Sequence, residues 1–205
     1  MKIYMIRHCE SKDDVLNCYG GCADFELTEK GIKTAEQYSN KIIDLGIQKI
    51  FTSPYKRAKN VANIFANKIH CEIEIVKDLR EMNTYGVMSG INKDLAKNIF
   101  SLLLESDEYK SFGYYKGKSF EGGESVEFFD NRVKNAFNYL TNQDESIVAV
   151  VTHGGVFRSV YKNILNKPEK ILEIDDVATI EINYENGIFS IVNMNGIITE
   201  WFFVK

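Results

Sequence analysis

The segment Ser146–Thr152, which reads SIVAVVT, is apolar at nearly every position and constrains the fold more than any other feature. A strand that packs on one side only alternates apolar and polar residues, so an unbroken apolar run indicates a strand covered on both faces. Such strands are typical of the centre of a parallel sheet that has helices on each side. The chain is therefore predicted to adopt an α/β fold.

Patterns elsewhere alternate strands with helices, as that architecture requires. Predicted strands are 2–6, 47–52 and 73–76, and predicted helices begin at Thr28 (ending at Gly46), at Ser53-Pro54, near residue 92 (ending near 105), around 123–125, and after Gly155 (ending near 165). Residues 106–123 are read as a loop. We expect a three-layer α/β/α sandwich around a mostly parallel sheet.

The C-terminal region departs from this alternation. Strands are predicted at 177–184 and 188–194 around the turn signal Glu185-Asn186-Gly187, which is typical of an antiparallel hairpin. Residues 197–204 would add an edge strand or pack as a tail. The fold class predicted is therefore a mostly parallel sheet with an antiparallel hairpin near the C-terminus.

Length and charge restrict the functional classes. A chain of 205 residues fits one domain spanning 1–205. Its 25 basic and 29 acidic residues leave a net charge of −4, which argues against nucleic acid or an anionic membrane as the main partner. Because no apolar run nears the roughly 20 residues of a membrane span, and the start lacks a secretory signal pattern, we expect a cytoplasmic monomer or homodimer.

Polar residues stand where three of the predicted strands end. Arg7-His8 follows the first strand, the Ser53–Arg57 turn follows the second, and His153 follows the apolar strand. Ligands of open α/β sheets bind at the carboxyl ends of the strands. These residues are therefore expected to meet in one site.

Six segments in order resemble the histidine phosphatase superfamily, which includes cofactor-dependent phosphoglycerate mutase. They are RHCES (7–11), LTEKG (27–31), SPYKRAKNVA (53–62), LREMN (79–83), GGES (122–125) and VTHGG (151–155). The pattern is most similar to small bacterial phosphatases such as α-ribazole phosphatase and broad-specificity monoesterases. The resemblance implies a metal-independent phosphatase that forms a phosphohistidine on a small phosphorylated metabolite, without cofactor.

The residue types also suit that reaction. Arg7 and Arg57 can offer planar donor forks to phosphoryl oxygens, and His8 as a neutral imidazole is a competent nucleophile. His153 can donate to the phosphate in the transition state. A carboxylic acid must protonate the leaving oxygen, and the resemblance assigns this role to Glu81.

Substrate contacts are predicted at Gly154, Tyr85, Asn17 and Asp14. Asp14 stands six residues after His8, where the resemblance implies an asparagine that contacts phosphate. A carboxylate there would oppose the phosphate charge, so Asn17 is the alternative contact.

Three cysteines lie within fourteen residues: Cys9, Cys18 and Cys22. Their spacing fits a zinc half-site only loosely and no second ligand pair follows, so no metal is expected. Cys9 replaces the family's glycine after the histidine. It is expected to be either an inert small side chain or a thiol activated by nearby arginines.

Alternative functions remain open. The segment YGVMSGINK (85–93) resembles, with shifted spacing, the mutase segment that holds an acidic substrate, but no arginine pair follows between 94 and 120. A phosphatase is therefore favoured over a mutase, and a non-catalytic protein that binds a phosphorylated ligand is a third reading. The aromatic stretch 112–120, with Tyr114 and Tyr115, would either cap a ring-bearing substrate or pack as an ordinary loop.

Overall fold

A computed structural model of the chain describes residues 1–101 and 113–201. Within these residues, six strands form one sheet in the order β3-β2-β4-β1-β5-β6. The strands are β1 (Lys2–Arg7), β2 (Lys49–Thr52), β3 (Glu72–Ile75), β4 (Ile147–Thr152), β5 (Lys170–Glu185) and β6 (Ile188–Glu200). The first four in this spatial order run parallel, and β5 and β6 add an antiparallel hairpin.

The described helices are α1 (Lys12–Val15), α2 (Glu29–Ser39), α3 (Lys56–Ile69), α4 (Lys93–Ile99), α5 (Val126–Thr141) and α6 (Gly154–Asn163). Short 3-10 turns lie at Ile43–Leu45, Lys77–Leu79, Gly86–Met88 and Tyr114–Lys116. Thr28 caps α2 by accepting the Gly31 N–H at 3.0 Å, as predicted.

Alternate residues of the central strands face two separate cores. Met5 and Val150 pack with α5 and α6 on one face of the sheet, whereas Ile6 and Val151 pack with α2 and α3 on the other. The apolar strand thus lies between β2 and β1 and is buried on both sides from Val148 to its end. The predicted α/β/α sandwich is confirmed.

Several predicted boundaries are wrong. The second long helix begins at Lys56 with Tyr55 as its N-cap, rather than at Ser53-Pro54, and Ser53 belongs to the turn before it, where its oxygen accepts the Tyr55 N–H. The helix capped by Thr28 ends at Ser39 and only a 3-10 turn precedes Gly46. The hairpin strands are longer than predicted.

Other sequence predictions fall partly outside the described residues. The helix predicted near 92–105 is observed as α4, and its expected end at 102–105 lies outside them. Residues 197–200 extend β6, so they form the edge strand rather than a tail, while 202–204 are not described. The loop predicted at 106–123 is described from 113 onward. In the described part of the chain, no helix is both long and apolar enough to cross a membrane.

Candidate active site

Three adjacent parallel strands end at the same edge of the sheet and bring the candidate residues together. His8 follows β1, His153 follows β4, and Ser53 follows β2. The His8 N–H donates to the Thr152 carbonyl at 2.9 Å, and the Ser53 N–H donates to the Val151 carbonyl at 3.1 Å. The hydrogen bonds between neighbouring strands therefore continue one residue beyond the strand ends, and they hold the backbone of His8 and Ser53 in place.

The His8 ring is buried and its hydrogen bonds define its tautomer. Nδ1 lies 2.7 Å from the Cys9 carbonyl oxygen, and Arg57 Nε donates to Nε2 at 3.3 Å. An arginine Nε can only donate, so Nε2 carries the lone pair and Nδ1 the proton. Burial, together with the positive charges of Arg57 and Arg7, lowers the pKa of His8 well below its usual value. His8 Nε2 is thus an unprotonated nitrogen beside a guanidinium.

The His153 ring lies 5.0 Å from the His8 ring, centroid to centroid. His153 Nε2 is 2.7 Å from Ser53 Oγ, which also accepts the Tyr55 N–H at 3.2 Å. Among the described residues, Nε2 is the one acceptor for the Ser53 hydroxyl hydrogen, so that hydroxyl donates to Nε2 and leaves the ring proton on Nδ1. His153 Nδ1 is buried without a hydrogen-bond partner. An orphaned buried donor needs a ligand acceptor to satisfy it.

The Arg57 guanidinium is almost fully buried and faces the two imidazoles. Its Nη1 donates to the Ala23 carbonyl at 2.7 Å and its Nη2 to the Gly21 carbonyl at 3.3 Å. No carboxylate among the described residues pairs with it. Its charge is therefore available to an anion next to His8.

A bulge in β5 holds Arg7. The Arg7 guanidinium donates to the Ile174 carbonyl and lies 3.7 Å from the Asp176 carboxylate. The register of β5 against β6 shifts between Ile174 and Thr179, and Val177 has a φ of 50°, which is unusual for a β-branched residue. Asp176 also accepts the Glu10 N–H at 2.9 Å. Asp176 was not identified from the sequence, since a bulge leaves no local pattern that predicts it.

Glu81 reaches the site from the loop after the Lys77–Leu79 turn. Its Oε1 accepts the Met82 N–H at 2.7 Å, and its Oε2 accepts the Gly155 N–H at 3.0 Å. A Cβ at position 155 would clash with Glu81 Oε1, so only glycine allows this approach. The carboxyl group is thereby held at the start of α6, directly after His153.

Arg132 on α5 fixes the loop that carries Glu81. It forms a two-point ion pair with Glu124, with N–O distances of 2.6 and 2.7 Å. It also donates to three carbonyls of the loop: Asp78, Arg80 and Glu81. The sequence analysis missed this role, although GGES and a lone arginine on the predicted helix were both visible signals.

Replacing Arg132 by Met is expected to lower the free energy of unfolding by about 1–3 kcal/mol, because the bonds to three loop carbonyls are lost and, among the described residues, Glu124 keeps only Arg80 as an ion-pair partner, at 3.5 Å. Urea titration measures this loss. Lys134→Met on the same helix is the matched control, since Lys134 is exposed and a surface change costs under about 0.5 kcal/mol. A loss in Arg132→Met that equals the control would refute the buttressing role.

A cavity of about 410 Å³ lies on the Glu81 side of the site. It contains Glu81 and is bounded by the Gly21–Arg57 contact and by Gly155. The remaining lining residues are Met82, Thr84, Tyr85, Gly113, Tyr114, Tyr115, Lys116 and Arg158. The aromatic stretch therefore contributes both tyrosines to this wall.

The other predicted substrate contacts are Tyr85, Gly154, Asp14 and Asn17, and they differ in where the structure places them. Tyr85 lines it, and Gly154 begins α6 beside His153. Asp14 is exposed on α1, where its carboxylate accepts the Ser11 N–H at 2.9 Å as part of a capping box. Asn17 is exposed with a φ of 53°. Contact of Asp14 or Asn17 with phosphate stays a prediction.

The cysteines are all free thiols. Cys9 is fully buried in the core beneath α2 and α3, and burial, helped by Asp176 and opposed by Arg7, raises the pKa of its thiol to about 12. This contradicts the activated thiol and favours the inert side chain. Among the described residues, no group of three or more His, Cys, Asp or Glu side chains is arranged to hold a metal ion.

Two buried histidines with lowered pKa values should make the fold sensitive to acid. Burial first, then Arg57, lowers the pKa of His153 as it does that of His8. Histidines in an unfolded chain titrate at about pH 6.5. Below that pH the two histidines bind protons in the unfolded chain but stay neutral in the folded chain. The free energy of unfolding is therefore expected to decrease as the pH is lowered, by up to about 1.4 kcal/mol per pH unit for each histidine.

Chemical denaturation at several values from about pH 7.5 down to pH 5 tests this. A plot of the free energy of unfolding against pH should be less steep for His8→Asn than for the wild type, because only one of the two buried histidines is left. His70→Asn is the control, because His70 is exposed at the left-handed end of α3, a conformation that asparagine adopts readily. Equal slopes in the two variants would contradict the prediction.

Known proteins resemble this chain over nearly its whole length. The sequence profile described as histidine phosphatase superfamily (branch 1) matches residues 3–196. The probable phosphoglycerate mutase GpmB of Escherichia coli O1:K1 / APEC is 27% identical over 196 residues, covering 92% of this chain and 87% of that protein.

Solved structures share the fold. YhfR of Bacillus stearothermophilus superposes with a TM-score of 0.80 at 22% identity, covering 96% of this chain and 97% of the other. The α-ribazole phosphatase of Shigella flexneri superposes with a TM-score of 0.79 at 20% identity, covering 95% and 96%. The resemblance inferred from the six segments is thereby confirmed.

Proposed function

This chain belongs to the histidine phosphatase superfamily, branch 1, and we propose that it hydrolyses phosphate monoesters of small metabolites through a phosphohistidine on His8, without a metal ion. One observation carries the proposal: His8 Nε2 is unprotonated beside Arg57, 5.0 Å ring to ring from a His153 whose buried Nδ1 has no partner. A phosphoryl group bound there would meet a nucleophile, a cation and a donor.

The first half of the reaction transfers the phosphoryl group to the enzyme. His8 Nε2 attacks phosphorus, an N–P bond forms and the P–O ester bond breaks. Glu81, in its protonated form, gives its proton to the leaving oxygen, which departs as an alcohol. The cavity next to Glu81 holds this alcohol.

The second half regenerates the histidine. Glu81, now a carboxylate, takes a proton from water as the water oxygen attacks phosphorus. The N–P bond breaks, its electrons return to Nε2, and inorganic phosphate leaves. The same carboxyl group thus serves as acid and then as base.

Charge on the transferring group is stabilised by three donors around it. Arg57 and Arg7 supply guanidinium hydrogens, and His153 Nδ1 supplies a neutral donor. Asp176 lies 3.7 Å from Arg7 and neutralises part of its charge, so Arg57 carries more of the phosphate affinity.

A phosphatase is favoured over a mutase by the placement of residues 85–93. Within that segment, Tyr85 lines the cavity, but Asn92 caps α4 and the Lys93 ammonium lies 5.8 Å from the Tyr19 ring centre. Neither Asn92 nor Lys93 is among the cavity residues. The lysine that would hold an acidic mutase substrate therefore lies outside the cavity wall.

Mutase activity is the second candidate, favoured by the similarity to the probable phosphoglycerate mutase GpmB. Incubation with 3-phosphoglycerate and a trace of 2,3-bisphosphoglycerate separates the two reactions. Release of inorganic phosphate faster than formation of 2-phosphoglycerate supports the phosphatase, and the reverse order supports the mutase.

Turnover of p-nitrophenyl phosphate in a chelating agent tests the rest of the proposal. Full activity is expected, since no metal takes part. Activity that disappears with the chelator and returns with a divalent cation would overturn metal independence, and no turnover of any monoester would favour a non-catalytic binding protein. That residues 1–205 act as one domain is part of the same proposal.

A further inference from the structure

The turn between β2 and α3 contains a buried serine to which the reaction steps above give no role. Ser53 directly follows β2 and is fully buried. Its Oγ accepts the Tyr55 N–H at 3.2 Å and lies 2.7 Å from His153 Nε2. Because a backbone N–H can only donate, the Tyr55 bond uses a lone pair of Oγ and leaves the hydroxyl hydrogen for the imidazole.

The same turn also packs against the imidazole ring. The Tyr55 ring lies 5.5 Å from the His153 ring, centroid to centroid, and the His8 ring lies 5.0 Å from it. His153 is fully buried. If the ring turned over, a carbon would replace Nε2 opposite Ser53, and the hydrogen bond would be lost. The Ser53 hydroxyl therefore fixes both the orientation of the ring and its tautomer.

The tautomer decides what His153 can offer to a phosphoryl group. A neutral imidazole has one N–H donor and one acceptor nitrogen. With Nε2 accepting from Ser53, the donor is Nδ1, which is buried and has no partner among the described residues. In the opposite tautomer Nδ1 would carry a lone pair, which would repel a phosphoryl oxygen. Protonation does not supply the donor instead, since burial and the Arg57 charge lower the pKa of His153 well below its usual value.

We propose that Ser53 is a positioning residue for phosphoryl transfer, whose hydroxyl selects the Nδ1–H tautomer of His153 and so directs that donor to a non-bridging phosphoryl oxygen. Ser53 does not touch the substrate and acts through His153. His8 carries the same tautomer, set by the Cys9 carbonyl, but there Nε2 faces the phosphorus. The partners of the two rings therefore make one a nucleophile and the other a donor. This inference rests on the proposed phosphatase function.

The tautomer can be measured without any turnover. In ¹⁵N-histidine-labelled protein at about pH 7.5, above the range in which histidines titrate, long-range ¹H–¹⁵N correlation spectra show which ring nitrogen carries the proton. The His153 signals are assigned by their absence in His153→Asn. The wild type should show a proton on Nδ1, and Ser53→Ala should shift the population towards Nε2–H. A wild-type proton on Nε2, or the same population in Ser53→Ala, would overturn the proposal.

Kinetics then test whether this tautomer matters for the reaction. Ser53→Ala should lower kcat for p-nitrophenyl phosphate by about ten- to hundredfold, since a donor to the transferring group is weakened. Orthovanadate, which resembles five-coordinate phosphorus, should bind more weakly by a similar factor. Inorganic phosphate should change less than about threefold, because such a donor contributes most where charge accumulates in the transition state.

Two further variants separate positioning from packing. Ser53→Thr keeps the hydroxyl and should recover most of kcat and the Nδ1–H signal. Ser39→Ala is the matched control: Ser39 is also a buried serine, but it lies on α2 and donates to the Glu36 carbonyl at 2.6 Å. It should behave as the wild type in every measurement. Urea titration of each variant identifies any loss that comes from unfolding.

The outcomes also distinguish this inference from the phosphatase proposal. Equal weakening of vanadate and phosphate in Ser53→Ala, or an unchanged kcat, would mean that Ser53 acts in packing alone, while wild-type turnover keeps the phosphatase proposal intact. A wild type that hydrolyses no monoester would instead refute the phosphatase and with it the catalytic role of Ser53. The ¹⁵N spectra would still show whether Ser53 sets the His153 tautomer.

Discussion

His8→Asn is expected to abolish turnover and to leave no phosphoenzyme. Its Nε2 is the unprotonated nitrogen beside Arg57, and without it no N–P bond forms. Losing the nucleophile of a covalent mechanism lowers kcat by at least roughly 10⁴-fold. Rapid quench with ³²P-labelled substrate measures the trapped intermediate, which as a phosphohistidine should survive alkali and be released by acid.

His153→Asn is the comparison that gives this result its meaning. His153 is buried next to His8 but is proposed to donate rather than attack. Losing one such donor lowers kcat by about 10²–10³-fold, while the phosphoenzyme still forms. If label were retained in His8→Asn and lost in His153→Asn, the nucleophile would be His153.

The sheet and both histidines were predictable because their signals are local. An apolar run marks β4, and a charged or imidazole side chain directly after a buried strand marks the edge where ligands bind. His8 and His153 then meet because β1 and β4 are neighbours with Arg7 opposite Thr152. The contact between the two histidines therefore follows from the order of the strands in the sheet.

Ser53 shows why local signals fail close to a site. Serine followed by proline is a strong helix start, yet α3 begins at Lys56. The Ser53 hydroxyl is 2.7 Å from His153 Nε2, a residue 100 positions away. Its oxygen also accepts the Tyr55 N–H at 3.2 Å, within the turn that precedes the helix. The sequence neighbourhood shows the local bond but does not reveal the partner 100 positions away.

Arg132 and Asp176 were missed for a related reason. Each gains its role from a chain segment far away: the loop that carries Glu81 for Arg132, and the end of the first strand, with Arg7, for Asp176. Charged residues on helices and hairpins are usually solvated, so their type and spacing alone carry little information. The placement of the Glu81 loop depends on such contacts, and Glu81 itself was assigned through resemblance.

Glu81→Gln is expected to slow alkyl phosphates by about 10²–10⁴-fold and p-nitrophenyl phosphate far less, because p-nitrophenolate leaves without a proton. The amide keeps one oxygen for the Met82 or Gly155 N–H but can accept only one of them. Circular dichroism and urea titration of the same variant therefore accompany the kinetics, so that a displaced loop is recognised.

A series of aryl and alkyl phosphates provides the decisive comparison. Plotting log kcat/KM against the pKa of the leaving alcohol should give a shallow slope for the wild type and a steep one for Glu81→Gln, since only the wild type protonates the poor leaving groups. Glu121→Gln is the control, because Glu121 is exposed and its replacement removes the same charge. Its slope should match the wild type. Parallel lines for wild type and Glu81→Gln would mean that another group supplies the proton, and the carboxyl held by Met82 and Gly155 would then act only in positioning.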